Sequence, residues 1–174
     1  MKVLSFTHFL QGPLAAQLLG DFGADVIKVE PLNGAFERRW SGHNAYLNGV
    51  SLNYLLGNRN NRSISVDLKS EVGRQIALRM AEQADVIIEN YRPGVMKRLG
   101  LDYDSLKSRN PRLIYCSCSG YGEDGPYVHL PGQDLLAQAK SGLMTLSGGA
   151  TDPPMALGAP VVDIHASVLA ASAI

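Results

Sequence analysis

Apolar positions along the chain keep two rhythms, a period of two over short β-branched runs and a helical period over longer stretches, and the two alternate. Lys2 to Phe6 reads as a strand. A loop holding Gly12-Pro13 follows, then an apolar-periodic helix from Leu14 to about Phe22, with Gly23 placed to end it. Asp25-Val-Ile-Lys-Val-Glu30 is β-branched and apolar enough to be the next strand of a parallel sheet, which completes a β-α-β unit. The rhythm breaks over residues 31–61, where Asn, Gly and other polar residues surround one short apolar segment, Tyr46 to Leu56, read as helical. This stretch is expected to be a long active loop.

Strand alternation returns at Arg62-Ser-Ile-Ser-Val-Asp67. Ser70 is placed to cap a helix running through Gln83, and Ala84-Asp-Val-Ile-Ile-Glu89 reads as another buried strand, so a second β-α-β unit closes. Beyond the turn Asn90-Tyr-Arg-Pro-Gly94 come two short helical stretches, Val95 to Leu99 and Tyr103 to Ser108, and a strand ending at Ser117. A Gly-rich loop runs to Pro131, Gln133 to Ser141 is helix-like, and an irregular linker, Gly148 to Pro154, precedes an apolar, Ala-rich helix from Ile164 to Ile174 opened by Asp163. Strands alternating with helices predict an α/β fold, a doubly wound, mostly parallel Rossmann-like sheet flanked by helices, with ligands at the carboxyl ends of its strands.

Composition changes this picture mainly by exclusion. A chain of 174 residues suits one domain, and Lys plus Arg at 16 equals Asp plus Glu at 16, so no global field recruits nucleic acid or an anionic membrane. No uninterrupted apolar run reaches the roughly 20 residues of a spanning helix, and the N-terminus lacks a secretory pattern, so a cytoplasmic protein is expected. Cys116 and Cys118 lie two apart in an alternating run and so point to one face. Strand neighbours bridge poorly and the cytosol is reducing, so buried thiols are expected, and two Cys without a nearby His or second pair make no metal site.

Three places carry candidate chemistry. The first-strand loop, Thr7-His-Phe-Leu-Gln-Gly-Pro13, presents His8 where α/β sheets bind ligands, but it lacks the Gly-x-Gly-x-x-Gly of a dinucleotide site. Asn90-Tyr-Arg-Pro-Gly94, with Lys97 and Arg98 beyond it, suits phosphate or an adenine nucleotide, and taken alone it also describes a solvated basic helix face. Asp163 stands at a helix mouth, where spare N–H groups and the dipole favour an anion by roughly 0.3–1 kcal/mol, so the carboxylate is expected to be charged at neutral pH. Position alone reads as a cap. A carboxylate is a poor nucleophile in water, and a desolvated pocket with donors for the developing oxyanion makes its attack productive.

Seven strings, in order, are Gly12-Pro13, Leu19-Gly-Asp-Phe-Gly-Ala-Asp-Val-Ile-Lys-Val-Glu30, Asn61-Arg-Ser-Ile-Ser-Val-Asp-Leu-Lys69, Ala84-Asp-Val-Ile-Ile-Glu-Asn-Tyr-Arg-Pro-Gly94, Asn110-Pro-Arg-Leu-Ile-Tyr115, Ser119-Gly-Tyr-Gly122 and Gln138-Ala-Lys-Ser-Gly-Leu143. Together they resemble the family III coenzyme A transferases, the group that includes formyl-CoA transferase, carnitine CoA-transferase and α-methylacyl-CoA racemase. The likeness spans essentially the whole chain.

The resemblance implies that Asp163 is the catalytic aspartate, forming an aspartyl mixed anhydride with an acyl-CoA and then an aspartyl-CoA thioester, before the acceptor carboxylate takes the CoA. By the same resemblance His8, Leu68, Lys69, Asn90, Tyr91 and Arg98 line the coenzyme A site, Lys69 and Arg98 facing phosphates and Tyr91 bordering the adenine. No permanently bound cofactor is implied, only acyl-CoA and a carboxylate acceptor as substrates. Two departures matter. Leu10, with Gln11 beside it, stands where formyl-CoA transferase has a glutamine near the acyl group, which speaks against formyl specificity. Gln133 stands where the racemase branch has a histidine and cannot act as that base, which favours transfer over racemisation. Family members are more than twice this length and form interlocked homodimers, so the chain is expected to be an N-terminal portion with little turnover alone. An acyl-CoA racemase or isomerase and a non-catalytic CoA-binding fragment remain as alternatives.

Overall fold

The computed structural model describes residues 1–42 and 44–174. Five parallel strands make the central sheet: β1 (Lys2–Phe6), β2 (Asp25–Glu30), β5 (Asn61–Ser65), β6 (Val86–Glu89) and β7 (Ile114–Ser117), in the order β5-β2-β1-β6-β7. The chain first winds outward from β1 through β2 to β5, then crosses back to β6 and β7. Right-handed crossovers in opposite directions place helices on opposite faces, and the side chains divide accordingly. Leu4, Phe6, Val29 and Ile87 face α3 (Glu71–Ala81), α4 (Val95–Leu99) and α5 (Tyr103–Leu106), through Ala77, Ala81, Met96, Leu101 and Leu106. Val3, Val26, Val86 and Ile88 face α1 (Gln11–Asp21) and α7 (Val161–Ala173), through Ala15, Ala16, Leu19 and Ala170. Alternate residues of one strand thus serve two cores, and each fully buried Ile or Val adds about 1.5–3 kcal/mol of apolar burial.

Local differences from the sequence expectations have identifiable causes. Helix α1 starts at Gln11, so Gly12-Pro13 sits inside its first turn, not in a loop. Proline costs nothing there because first-turn N–H groups have no intrahelical partner. Gly12 is required by close approach, since a Cβ would lie 2.6 Å from Thr7 Cγ2. The segment read as helical from Tyr46 is a hairpin, β3 (Tyr46–Leu47) and β4 (Val50–Ser51), with helix α2 (Leu52–Leu56) following. Its two-residue turn is Asn48-Gly49, with φ of 49° and 78°, and such a turn matches the natural twist of paired strands. Ser70 caps α3 as its sequence position predicts, accepting from the Gly73 N–H at 3.0 Å. Cys116 and Cys118 are free, with their sulfurs 3.7 Å apart on one face.

The loop between β7 and α6 (Asp134–Lys140) is pinched at its base, where Gly120 and Gly132 stack backbone on backbone, and a Cβ on Gly132 would lie 2.5 Å from the Gly120 Cα.

Candidate active site

β1 and β6 run side by side with Phe6 opposite Glu89, so the segments leaving them emerge together where the winding direction reverses. Open α/β sheets bind ligands in this crevice. Asn90 ties the two segments, its Oδ1 accepting the His8 N–H at 2.9 Å and its Nδ2 donating to the His8 carbonyl at 2.8 Å. The His8 ring lies 4.8 Å from the Tyr91 ring and 5.7 Å from that of Phe9. Burial pushes the His8 pKa below its usual 6.5, outweighing the pull of Glu37, so the imidazole is neutral at pH 7. Phe9 holds a left-handed backbone, φ 59°, and its N–H donates to Glu37 Oε1 at 2.6 Å. Glu37 is 4% exposed, and its Oε2 has no partner among the described residues. Phe9, Phe36 and Trp40 form an exposed aromatic cluster beside this loop, with Phe9–Phe36 centroids 5.1 Å apart.

A buried polar network underlies the loop. Glu30 accepts from the Ala35 N–H at 2.9 Å, from Arg38 Nε and Nη2 at 2.7 and 2.9 Å, and from the Tyr54 hydroxyl at 2.8 Å. Burial pushes the Glu30 carboxyl up, but Arg38, the Ala35 amide and Tyr54 more than offset it, and the net shift is down. Lys28 is buried, donates to Asn58 Oδ1 at 2.8 Å, and is pushed by burial down to about 8.

Asp163 is placed differently from its sequence reading. Helix α7 begins at Val161 with Pro160 at the capping position, so Asp163 is its third residue and not the cap. The amides expected to hold its charge are taken by another acid. Asp134 Oδ1 accepts the N–H groups of Val162 at 2.8 Å and Asp163 at 3.0 Å. Among the described residues no donor engages the Asp163 carboxylate, which burial first and Asp134 second push from 3.8 up to about 6. It remains ionised at pH 7 by about ten to one, but against its surroundings and not because of them. One turn on, the buried Ser167 hydroxyl lies 2.7 Å from the Gln11 carbonyl, which sets the middle of α7 against the start of α1.

Of the six predicted binding residues, His8, Asn90 and Tyr91 are brought together directly. Leu68 packs, like Tyr91, against the apolar cluster on the α3 face, and burial pushes the Tyr91 phenol up to about 12. Lys69 and Arg98 are exposed, Arg98 on the last turn of α4 beyond the left-handed Gly94. Sequence reasoning missed Glu37 and Asp134. Glu37 lies within an irregular segment, and the contact of Asp134 with Asp163 spans 29 residues, so no local pattern announces either.

The family profile described as CoA-transferase family III matches residues 1–174. The chain is 44% identical over 158 residues to the acetyl-CoA:oxalate CoA-transferase of Acetobacter aceti, covering 91% of this chain and 40% of that protein. It is 41% identical to the succinate–glutarate CoA-transferase of Agrobacterium fabrum, covering 100% of this chain and 45% of that one. The crystal structure of a CaiB/BaiF family protein from Brucella suis superposes with a TM-score of 0.94 at 39% identity, over 99% of this chain and 46% of the other. The chain therefore spans less than half the length of these relatives. A profile match along its whole length, over a sheet of the same architecture, shows that the chain belongs to CoA-transferase family III.

Proposed function

We propose that, in a whole protein of which this chain is the N-terminal part, Asp163 is the nucleophile that moves coenzyme A from an acyl-CoA thioester to a carboxylic acid. The supporting observation is the Asp163 carboxylate itself, half-buried, without a donor among the described residues, and raised to about 6. Such a group is ionised at neutral pH yet poorly stabilised, which is the condition for attack on a carbonyl carbon.

One Asp163 oxygen adds to the thioester carbonyl carbon, the C–S bond breaks, and the CoA thiolate leaves behind an aspartyl mixed anhydride. The thiolate attacks the aspartyl carbonyl, releasing the donor acid as its carboxylate and forming an aspartyl-CoA thioester. The acceptor carboxylate then displaces the thiolate, and the thiolate attacks the acceptor's acyl carbon in the new anhydride, regenerating Asp163. No net proton is needed. The relatives named for oxalate and for succinate and glutarate support a dicarboxylic acid as the acceptor class.

Coenzyme A lies across the strand ends in this reading. Neutral His8 and Tyr91 offer it a flat, mostly apolar wall, Asn90 sets the spacing of the two loops, Leu68 packs against the apolar cluster that also carries Tyr91, and exposed Lys69 and Arg98 meet phosphates. The test is mass spectrometry of the full-length enzyme incubated with succinyl-CoA and quenched with hydroxylamine. Conversion of Asp163 to its hydroxamate is expected, together with a loss of transfer by at least about a thousandfold in Asp163→Asn. An Asp163→Asn enzyme that exchanges CoA at the native rate excludes the reading.

A further inference from the structure

Two carboxylates compete for one helix start, and the one that holds it is not the proposed nucleophile. Asp134, 9% exposed at the beginning of α6, bridges the successive amides of Val162 and Asp163 with a single oxygen. Its second oxygen accepts from Gln138 Nε2 at 2.5 Å, one helical turn along. Gln138 is fully buried and grips the segment leading into α7, with Oε1 accepting the Leu157 N–H at 2.9 Å and Nε2 reaching the Ala159 carbonyl at 3.3 Å. The two side chains therefore form a bracket on α6 that fixes both the approach to α7 and its first amides.

We infer that Asp134, backed by Gln138, is a positioning residue for Asp163: it fixes the backbone that carries the nucleophile and occupies the amides onto which that carboxylate would otherwise fold. The inference rests on Asp163 being the nucleophile. An acid third in a helix has its own turn's N–H groups within reach, and a carboxylate that accepts them is stabilised and less reactive. With those donors filled, the Asp163 oxygens are left for a substrate. The charges facing this point are few. Asp134 comes from α6, whose Lys140 lies at the far end over the Tyr127 ring at 3.4 Å; α1, packed along α7, carries Asp21 at its opposite end, bound to Arg59; and His165 of α7 is exposed.

The experiment compares the pH dependence of kcat/KM and the Tm of the full-length enzyme with those of Asp134→Asn and Asp134→Ala. Asparagine keeps a carbonyl for both amides but removes the charge, so kcat is expected to stay within about tenfold while the acid limb moves to lower pH. Alanine also releases the amides to Asp163, so kcat is expected to fall about a hundredfold with the KM for acyl-CoA little changed. Native kcat in a folded Asp134→Ala enzyme overturns the inference. An Asp134→Asn enzyme that loses kcat by about a hundredfold or more, although its amide oxygen still serves both N–H groups, overturns it as well, and decides the matter if the alanine variant does not fold. Should either result coincide with an inactive Asp163→Asn, only the positioning role fails; an active Asp163→Asn removes the nucleophile beneath it.

Discussion

Glu30 and Asp163 are both acids withdrawn from bulk water, and their surroundings treat them in opposite ways. Glu30 ends β2 with every direction answered, by a two-pronged guanidinium, a phenol and a backbone amide. Asp163 sits in the first turn of α7 with the amides of that turn assigned to Asp134. Burial raises the proton affinity of each, and only at Glu30 do partners reverse the sign. A carboxylate so fully answered holds architecture together, whereas one left unanswered retains its reactivity. On the proposed role of Asp163, the fold spends its donors where it needs rigidity and withholds them where it needs chemistry.

The contrast can be broken at either end. The largest expected effect is that of Glu30→Ala, which strands Arg38, the Tyr54 hydroxyl and the Ala35 amide together. Removing one member of a buried charged network costs about 3–5 kcal/mol, read as a lowered Tm of the whole protein. Tyr54→Phe deletes one donor to the same carboxylate and is expected to cost about 1.5–3 kcal/mol, measured by denaturant unfolding at pH 7. Asp163→Asn is expected to act in the opposite direction. A shift from 3.8 to about 6 corresponds to about 3 kcal/mol at full weight, and solvent screening of a half-buried group reduces this to a gain on the order of 1 kcal/mol. A stability loss in Asp163→Asn comparable with that of Glu30→Ala would erase the distinction.

The pH dependence sharpens it further. Because the folded pKa of Glu30 is lowered, its contribution is complete above its unfolded value near 4.5 and disappears as pH falls through the folded value. The folded pKa of Asp163 is raised, so its contribution is complete below 3.8 and is lost as pH rises through about 6. The stability gain of Asp163→Asn at pH 7 is therefore expected to shrink to nothing on acidification from pH 6 toward pH 4, and unfolding curves of the native and variant enzymes across that window check it.

The sheet was legible because its strands follow the simplest rule in the chain. Val86, Ile87 and Ile88 form a run apolar on both faces, as a strand between two helical layers must be. Helix ends were legible where a side chain makes its own bond, as at Ser70. The hairpin at Asn48-Gly49 was signalled by its turn dipeptide, yet the apolar residues around it also fit a helix, and four paired residues are too few for period two to show. The proposed role of Asp163 came through resemblance, and its environment was not legible at all. Whether an acid near a helix start caps that helix depends on which residue elsewhere reaches the amides first, and Asp134 lies on a different helix. Glu37 is hidden for the same reason, since a bond to the Phe9 amide across 28 residues leaves no periodic trace.

The pinch between Gly120 and Gly132 bears on all of this from two residues before Asp134. The bight it closes, residues 121–131, is like the eye of a needle, with the two glycines as its neck. One methyl group at that neck would push the thread aside, carrying α6 with it and shifting Asp163 from a distance. The least decorated residues in the chain are therefore among the least replaceable.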